Sequence, residues 1–161
     1  MNNAIDRGLT SNQNHLNRRF ITLEEKVESI YLSEKELQNV GALDLSGKKT
    51  MDQVRDLFLI ACYTGLRFGD LIQLRKENIY KTDFGKVIKI RTQKTDELVV
   101  IPVHPVILNI LKKYNGDLPR PISDQKMNVQ LKLIGERAKI NDRIRITKTI
   151  GGQSVTEDYF K

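Results

Sequence analysis

The stretch Ala61-Cys62-Tyr63-Thr64-Gly65-Leu66-Arg67-Phe68-Gly69-Asp70-Leu71 carries the end of one helix, a turn and the start of another. Upstream of it, Val54, Leu57, Phe58 and Ala61 fall at i, i+3, i+4 and i+7, one apolar helix face. Thr50 with Gln53 is a capping-box pattern at that helix's start. Gly65 is a natural stop, because glycine readily takes the left-handed conformation that closes helices. A further short helix is predicted from Phe68 to Leu74. Arg67 therefore stands on the turn between two helices. Its guanidinium is always ionised and presents a planar fork of donors that matches two phosphate oxygens. Thr64 to Arg67 taken alone also fits a surface arginine interacting with the last carbonyls of a helix.

Outward from this segment the pattern stays mostly helical. Residues 1–20 are rich in Asn, Arg and Ser without apolar periodicity, and Phe20 to Leu32 is mixed, so 1–29 reads as a tail or interdomain linker. Ser33 and Glu36 form a capping box, with Leu32 and Leu37 as a hydrophobic staple, and that helix is expected to end near Val40 or Gly41. Asp44 to Lys49 reads as a loop. Ile88 and Ile90 alternate with Lys89 and Arg91, Thr92 to Glu97 is turn-like, and Leu98 to Val103 is rich in β-branched residues. These runs predict a hairpin within a sheet of two or three strands. Pro105 opens a helix with Ile107, Ile110, Leu111 and Tyr114 on its apolar stripe, and Gly116 stops it. Ser123 is placed to cap a last helix carrying Met127, Leu131, Ile134 and Ala138 on one face. Arg143 to Ile150 alternates again before Gly151-Gly152, which predicts a second hairpin. The fold class expected is mainly α with small β-hairpins, an α+β domain over residues 30–161.

The bulk numbers agree with that class. The 161 residues suit one domain with a real core, and 39% hydrophobic with 29% charged residues is a globular balance. No apolar run approaches a bilayer span and no signal peptide is visible, so no membrane partner and a cytoplasmic location are expected. Cys62 is the only cysteine and sits in the apolar stretch Leu57 to Tyr63, where it reads as a small buried hydrophobe. Two histidines and one cysteine, far apart, offer no metal spacing, and no cofactor is called for. The net charge of +7 favours a polyanionic partner, although a solvated lysine-rich face gives the same number.

Leu59 to Leu74, with Ala61, Thr64, Gly65, Arg67, Asp70 and Leu74 in this order, resembles the first-arginine box of tyrosine recombinases of the phage-integrase family. That pattern runs small residue, two variable positions, Thr-Gly, variable, Arg, variable, small, acid, Leu or Ile, then Leu. The resemblance implies that Arg67 holds a DNA phosphate and that Asp70, three residues on and on the same helical face, supports it. Asp70 equally fits a first-turn acid facing the helix dipole. Arg91-Thr92-Gln93-Lys94-Thr95 resembles the Thr-x-Lys-Thr hairpin that carries the family's catalytic lysine, which assigns Lys94 to protonating the leaving 5′-oxygen and Thr92 to the DNA-contacting set. Ile101-Pro102-Val103-His104-Pro105 is also family-like, and His104 reads as a helix cap, not a catalyst. Ser123 to Asn128 resembles the helix start before the second half of the site. Lys126 and Asn128 are there either DNA-backbone contacts or the polar outer face of an amphipathic helix. The similarity runs over about residues 30 to 161, particularly to integrases of the Bacteroides type.

The family's reaction implies a tyrosine that forms a 3′-phosphotyrosine link, with two arginines and a histidine stabilising the phosphoryl oxygens. It implies double-stranded DNA and other recombinase protomers as partners, in the cytoplasm of a bacterium carrying a mobile element. The sequence contains no His-x-x-Arg box after Arg67. His15 with Arg18 lies on the wrong side of it, and Tyr159 has no such box before it. The expectation is therefore a C-terminally truncated catalytic domain, inactive alone in DNA integration and recombination, with an exposed apolar patch. A non-catalytic DNA-binding module or regulator on the same scaffold shares every one of these residues. A basic helical domain that binds protein or RNA is the third class.

Overall fold

A computed structural model describes residues 5–14, 30–150 and 153–160. Helix α1 (Glu34–Gly41) begins where the sequence places it. The Glu36 N–H donates to the Ser33 hydroxyl at 3.3 Å, and the Ser33 N–H donates to the Glu36 carboxylate at 2.6 Å. Two donors that a helix start leaves unpaired are thereby satisfied. Leu32 and Leu37 both pack against the core.

Helix α2 (Lys49–Thr64) is the hub, touching α1, α3 (Phe68–Leu71), α4 (Pro105–Lys113) and α5 (Asp124–Arg137). Between Met51 and Ile60 it is buried on several sides, because different helices cover it. The predicted Thr50–Gln53 capping box does not form. The helix starts at Lys49 with no side-chain cap, and the Gln53 amide instead donates to the Arg120 carbonyl at 2.6 Å. Cys62 is exposed, contrary to expectation. It lies in the last turn, and no α2 residue after Ile60 is buried. Helix α3 stops at Leu71, short of the expected Leu74. The next amides bond only three residues back, Gln73 to Asp70 and Leu74 to Leu71, and the Arg75 guanidinium takes the carbonyls of Ile72 and Leu74.

Strands β1 (Ile79–Thr82), β2 (Gly85–Arg91) and β3 (Leu98–Pro102) form an antiparallel sheet in that order. Ile88 pairs with Ile79 and Ile101, and Ile90 with Val99. Alternation sends Ile88 and Ile90 into the core and leaves Val87, Lys89 and Arg91 on the other face. His104 is the N-cap of α4, as expected: its Nδ1 accepts the Val106 N–H at 3.3 Å, and Pro105 follows at the first helical position. Ser123 occupies the N-cap of α5, but its hydroxyl makes no cap bond. Met127, Ile134 and Ala138 of α5 are buried and Leu131 packs beside them.

The elements from Tyr31 to Asp142 form one compact unit with a single hydrophobic cluster. Strands β4 (Arg143–Ile150) and β5 (Gln153–Phe160) make an antiparallel hairpin that belongs to a separate unit. Within it Arg145 faces Asp158 at 3.3 Å and Ile146 is buried. Gly151-Gly152, His15 and most of the Phe20 to Leu32 stretch lie outside the described residues. The chain is a mixed α and β protein, and among the described residues no helix is long and apolar enough to cross a membrane.

Candidate nucleic-acid interface

Arg67 is held by a backbone fixed from both sides. Gly65 takes the left-handed conformation, φ 67°, and its N–H closes α2 onto the Ala61 carbonyl at 2.9 Å. The Thr64 hydroxyl donates back to the Ile60 carbonyl at 2.7 Å and accepts the Leu66 N–H at 3.4 Å. Arg67 itself is extended, φ −65° and ψ 154°, and is the N-cap of α3. Its carbonyl accepts the N–H groups of Asp70 and Leu71 at 3.0 and 2.8 Å. The side chain is exposed, and no described residue hydrogen-bonds or ion-pairs with its guanidinium.

Asp70 is only 3% exposed, and it does not grip Arg67. The expectation that both share a helical face fails because Arg67 is an extended cap residue outside the helix. The Asp70 carboxylate instead accepts the backbone N–H of Gln93, 23 residues on, at 2.9 Å. The Gln93 side chain lies over Gly69, its amide oxygen 2.8 Å from where a Cβ would stand. The β2–β3 turn is thus fastened to the start of α3.

That turn is closed at its base by the Thr92 N–H on the Glu97 carbonyl at 2.9 Å and the Asp96 N–H on the Thr92 carbonyl at 3.0 Å. Asp96 is left-handed, φ 54°, and Arg91 holds it with a guanidinium bond to its carbonyl. The Thr92 hydroxyl is within 2.8 Å of that of Thr95 and is only half exposed. Lys94, next to Gln93 at the tip, is exposed and has no described ionic or hydrogen-bond partner. The structure therefore joins the turns that carry Arg67 and Lys94 through one buried carboxylate. It does not join Lys126 or Asn128 to them: Lys126 is exposed on α5, and the Asn128 amide donates to the Asp124 carboxylate at 3.1 Å.

One polar cluster escaped the sequence reading. Asp56, 2% exposed, accepts from Arg55 at 3.0 Å, from the Tyr114 hydroxyl at 3.0 Å and from Lys113. Arg55 and Lys113 also bind Asp52, and Arg55 reaches the Leu43 carbonyl at 2.9 Å. Burial first, then the Asp56 charge and hydrogen bond, raise the Tyr114 phenol far above its ordinary value. The only sequence signal was a carboxylate placed between the core positions Val54 and Leu57. Nearby, Tyr63 stacks on His104 with ring centroids 4.0 Å apart and donates to Glu34 at 2.8 Å. Its phenol is pushed up to about 12 by burial and by Glu34. These side chains border a cavity of about 480 Å³, where the polar groups named already bind one another. They cross-link α1, α2 and α4. Among the described residues no group of three or more His, Cys, Asp and Glu is arranged to hold a metal ion. Comparison with protein-family models, curated proteins and solved structures returns no match.

Proposed function

We propose that this chain is the arginine-and-lysine part of a tyrosine recombinase catalytic domain and that its two tied turns receive a DNA phosphodiester. The observation that carries the reading is the Asp70–Gln93 hydrogen bond, which ties together the turns bearing Arg67 and Lys94, two exposed cations without a partner among the described residues. A guanidinium on a rigid turn is preorganised for two phosphate oxygens. An ammonium at a neighbouring turn tip is suited to give a proton to an alkoxide leaving group. In the complete reaction a tyrosine attacks the phosphodiester to give a 3′-phosphotyrosine. Arg67 spreads the charge that builds on the non-bridging oxygens, and Lys94 protonates the departing 5′-oxygen. Asp70 acts by positioning: it holds the lysine turn against the arginine turn.

The chain as given carries neither a second arginine box nor a nucleophile placed after one, so it binds duplex DNA without cutting it. The test is fluorescence anisotropy with a duplex probe across a salt series. Arg67→Ala should weaken binding by roughly 10- to 100-fold, the worth of a charge-assisted pair, and lower the salt slope by about 1. Circular dichroism should show the fold intact. Unchanged duplex binding in Arg67→Ala refutes the phosphate role. A covalent DNA adduct through Tyr159 on a suicide substrate refutes the reading of the chain as cleavage-incompetent.

A further inference from the structure

We propose that the outer face of the three-stranded sheet is a platform for single-stranded nucleic acid, with Tyr80 and Phe84 as base-stacking surfaces and Lys89 and Arg91 as phosphate contacts. The inner face of this sheet is used up in the core through Ile88 and Ile90. The outer face carries exposed apolar side chains. Tyr80 is 48% exposed, Val100 52% and Leu98 60%, and Phe84 at the β1–β2 turn is fully exposed. Register places Tyr80 opposite Val87, Lys89 opposite Val100, and Arg91 opposite Leu98, so apolar and cationic side chains alternate along one surface. A contiguous apolar surface rimmed by charge marks an interaction site.

Charge selects the occupant. The cations on this outer face are Lys89 and Arg91, and the three strands contain no carboxylate; Asp83, Asp96 and Glu97 are confined to the turns. Such a surface is complementary to a polyanion. The Lys89 ammonium already lies 5.1 Å from the centre of the Tyr80 ring, a cation beside an aromatic face. Arg91 bonds the Asp96 carbonyl through one guanidinium nitrogen and lies 3.5 Å from the Asp96 carboxylate; both side chains are well exposed, and an exposed ion pair of this kind yields readily to a phosphate. Flat aromatic faces on a sheet cannot reach bases that are stacked inside a duplex, whereas every unstacked base offers a face to them. Strand β2, seven residues long, gives the surface a length of about 20 Å, enough for a few nucleotides. The inference uses the opposite side of the sheet from the core and needs neither Arg67 nor Lys94.

The experiment is anisotropy of the full chain with fluorescent oligo(dT) of about twelve nucleotides at low salt. Wild type should bind it. Tyr80→Ala and Phe84→Ala should each weaken binding at least about fivefold, and Lys89→Ala should lower the salt slope by about 0.7. Tyr80 and Phe84 are exposed and Lys89 is half-buried, and circular dichroism checks that each variant is folded. A duplex probe run in parallel separates this surface from the Arg67 turn: loss of duplex binding in Arg67→Ala with oligo(dT) binding retained supports two sites. The proposal is overturned if wild type does not bind oligo(dT), if the Tyr80→Ala/Phe84→Ala double variant binds it as wild type does, or if only Lys89→Ala weakens it. Sedimentation showing a dimer that Tyr80→Ala dissolves also overturns it, because the face is then covered by a second copy.

Discussion

Replacing Asp70 by Ala removes one hydrogen bond and should loosen one turn. The bond runs from the Gln93 N–H to a carboxylate that is 3% exposed, at 2.9 Å. A hydrogen bond to a charged group contributes about 1.5–3 kcal/mol. Gln93 is itself exposed, so its freed N–H reaches water and the loss belongs at the lower end, about 1.5 kcal/mol. Spent locally, that is about a tenfold rise in the opening equilibrium of the β2–β3 turn. Native-state hydrogen exchange reads this directly. In Asp70→Ala the Gln93 amide should exchange about tenfold faster than any shift in global stability explains, while Ile88 and Ile90, inside β2, follow global stability alone. Asp70→Asn keeps an oxygen acceptor at the same place and should give a smaller change. In duplex binding, Asp70→Ala and Lys94→Ala should be non-additive, since a lysine on a released turn is already misplaced. If Gln93 exchanges in Asp70→Ala at the wild-type rate once global stability is matched, the carboxylate does not hold the turn, and the positioning role assigned to Asp70 is wrong.

The remaining predictions concern the scaffold. Asp56→Ala leaves Arg55 and Lys113 without their buried anion and should cost about 3 kcal/mol in urea unfolding, discounted because Lys113 is partly solvated. Gly65→Ala meets no atom within 4 Å but forces a side chain to φ 67°, so it should cost about 1–2 kcal/mol with the contacts of the helix unchanged. His104→Ala removes the cap of α4 and should lower stability by about 1 kcal/mol without changing duplex binding, and His104→Asn should restore most of it. Tyr63 and Tyr114 both hold their protons more tightly when folded, so their contribution is complete below about pH 10 and is lost as pH rises through the folded values, about 12 for Tyr63. Melting temperature should therefore fall steeply above pH 10, and less steeply in the Tyr63→Phe/Tyr114→Phe variant.

The helices were legible wherever a local pattern had no competitor. The Ser33–Glu36 box formed: the Ser33 hydroxyl receives the Glu36 N–H and the Glu36 carboxylate receives the Ser33 N–H. The Thr50–Gln53 box has the same letters and failed, because the Gln53 amide is taken by a carbonyl 67 residues away. Apolar periodicity found Val54, Leu57, Met127 and Ile134, whereas Cys62, read as buried from the apolar stretch Leu57 to Tyr63 around it, is exposed, since an apolar stretch does not say how far along the helix its neighbours reach. Strand β1 was left unplaced because Ile79-Tyr80-Lys81-Thr82 is too short to show alternation, and its identity comes from pairing with β2. The Asp56 cluster spans 57 residues between Asp56 and Lys113, a closeness that only the packing of α2 on α4 creates.

The candidate site shows the same division. Arg67 and Lys94 were singled out by the resemblance of their segments to recombinase motifs, since a turn position alone fits an ordinary surface cation equally well. The tie between them was not legible, because it depends on Asp70 facing a backbone N–H and not a charge. Spacing by three residues places two side chains together only when both are helical, and Arg67 is the extended residue before the helix. Asp70 then fastens the turn by receiving the Gln93 backbone amide. With the acid spent on backbone, neither Arg67 nor Lys94 is neutralised by a described residue. On the proposed reading a phosphodiester is the anion that both cations receive, and the test is whether Arg67→Ala and Lys94→Ala each weaken duplex binding while the Asp70–Gln93 bond stays in place.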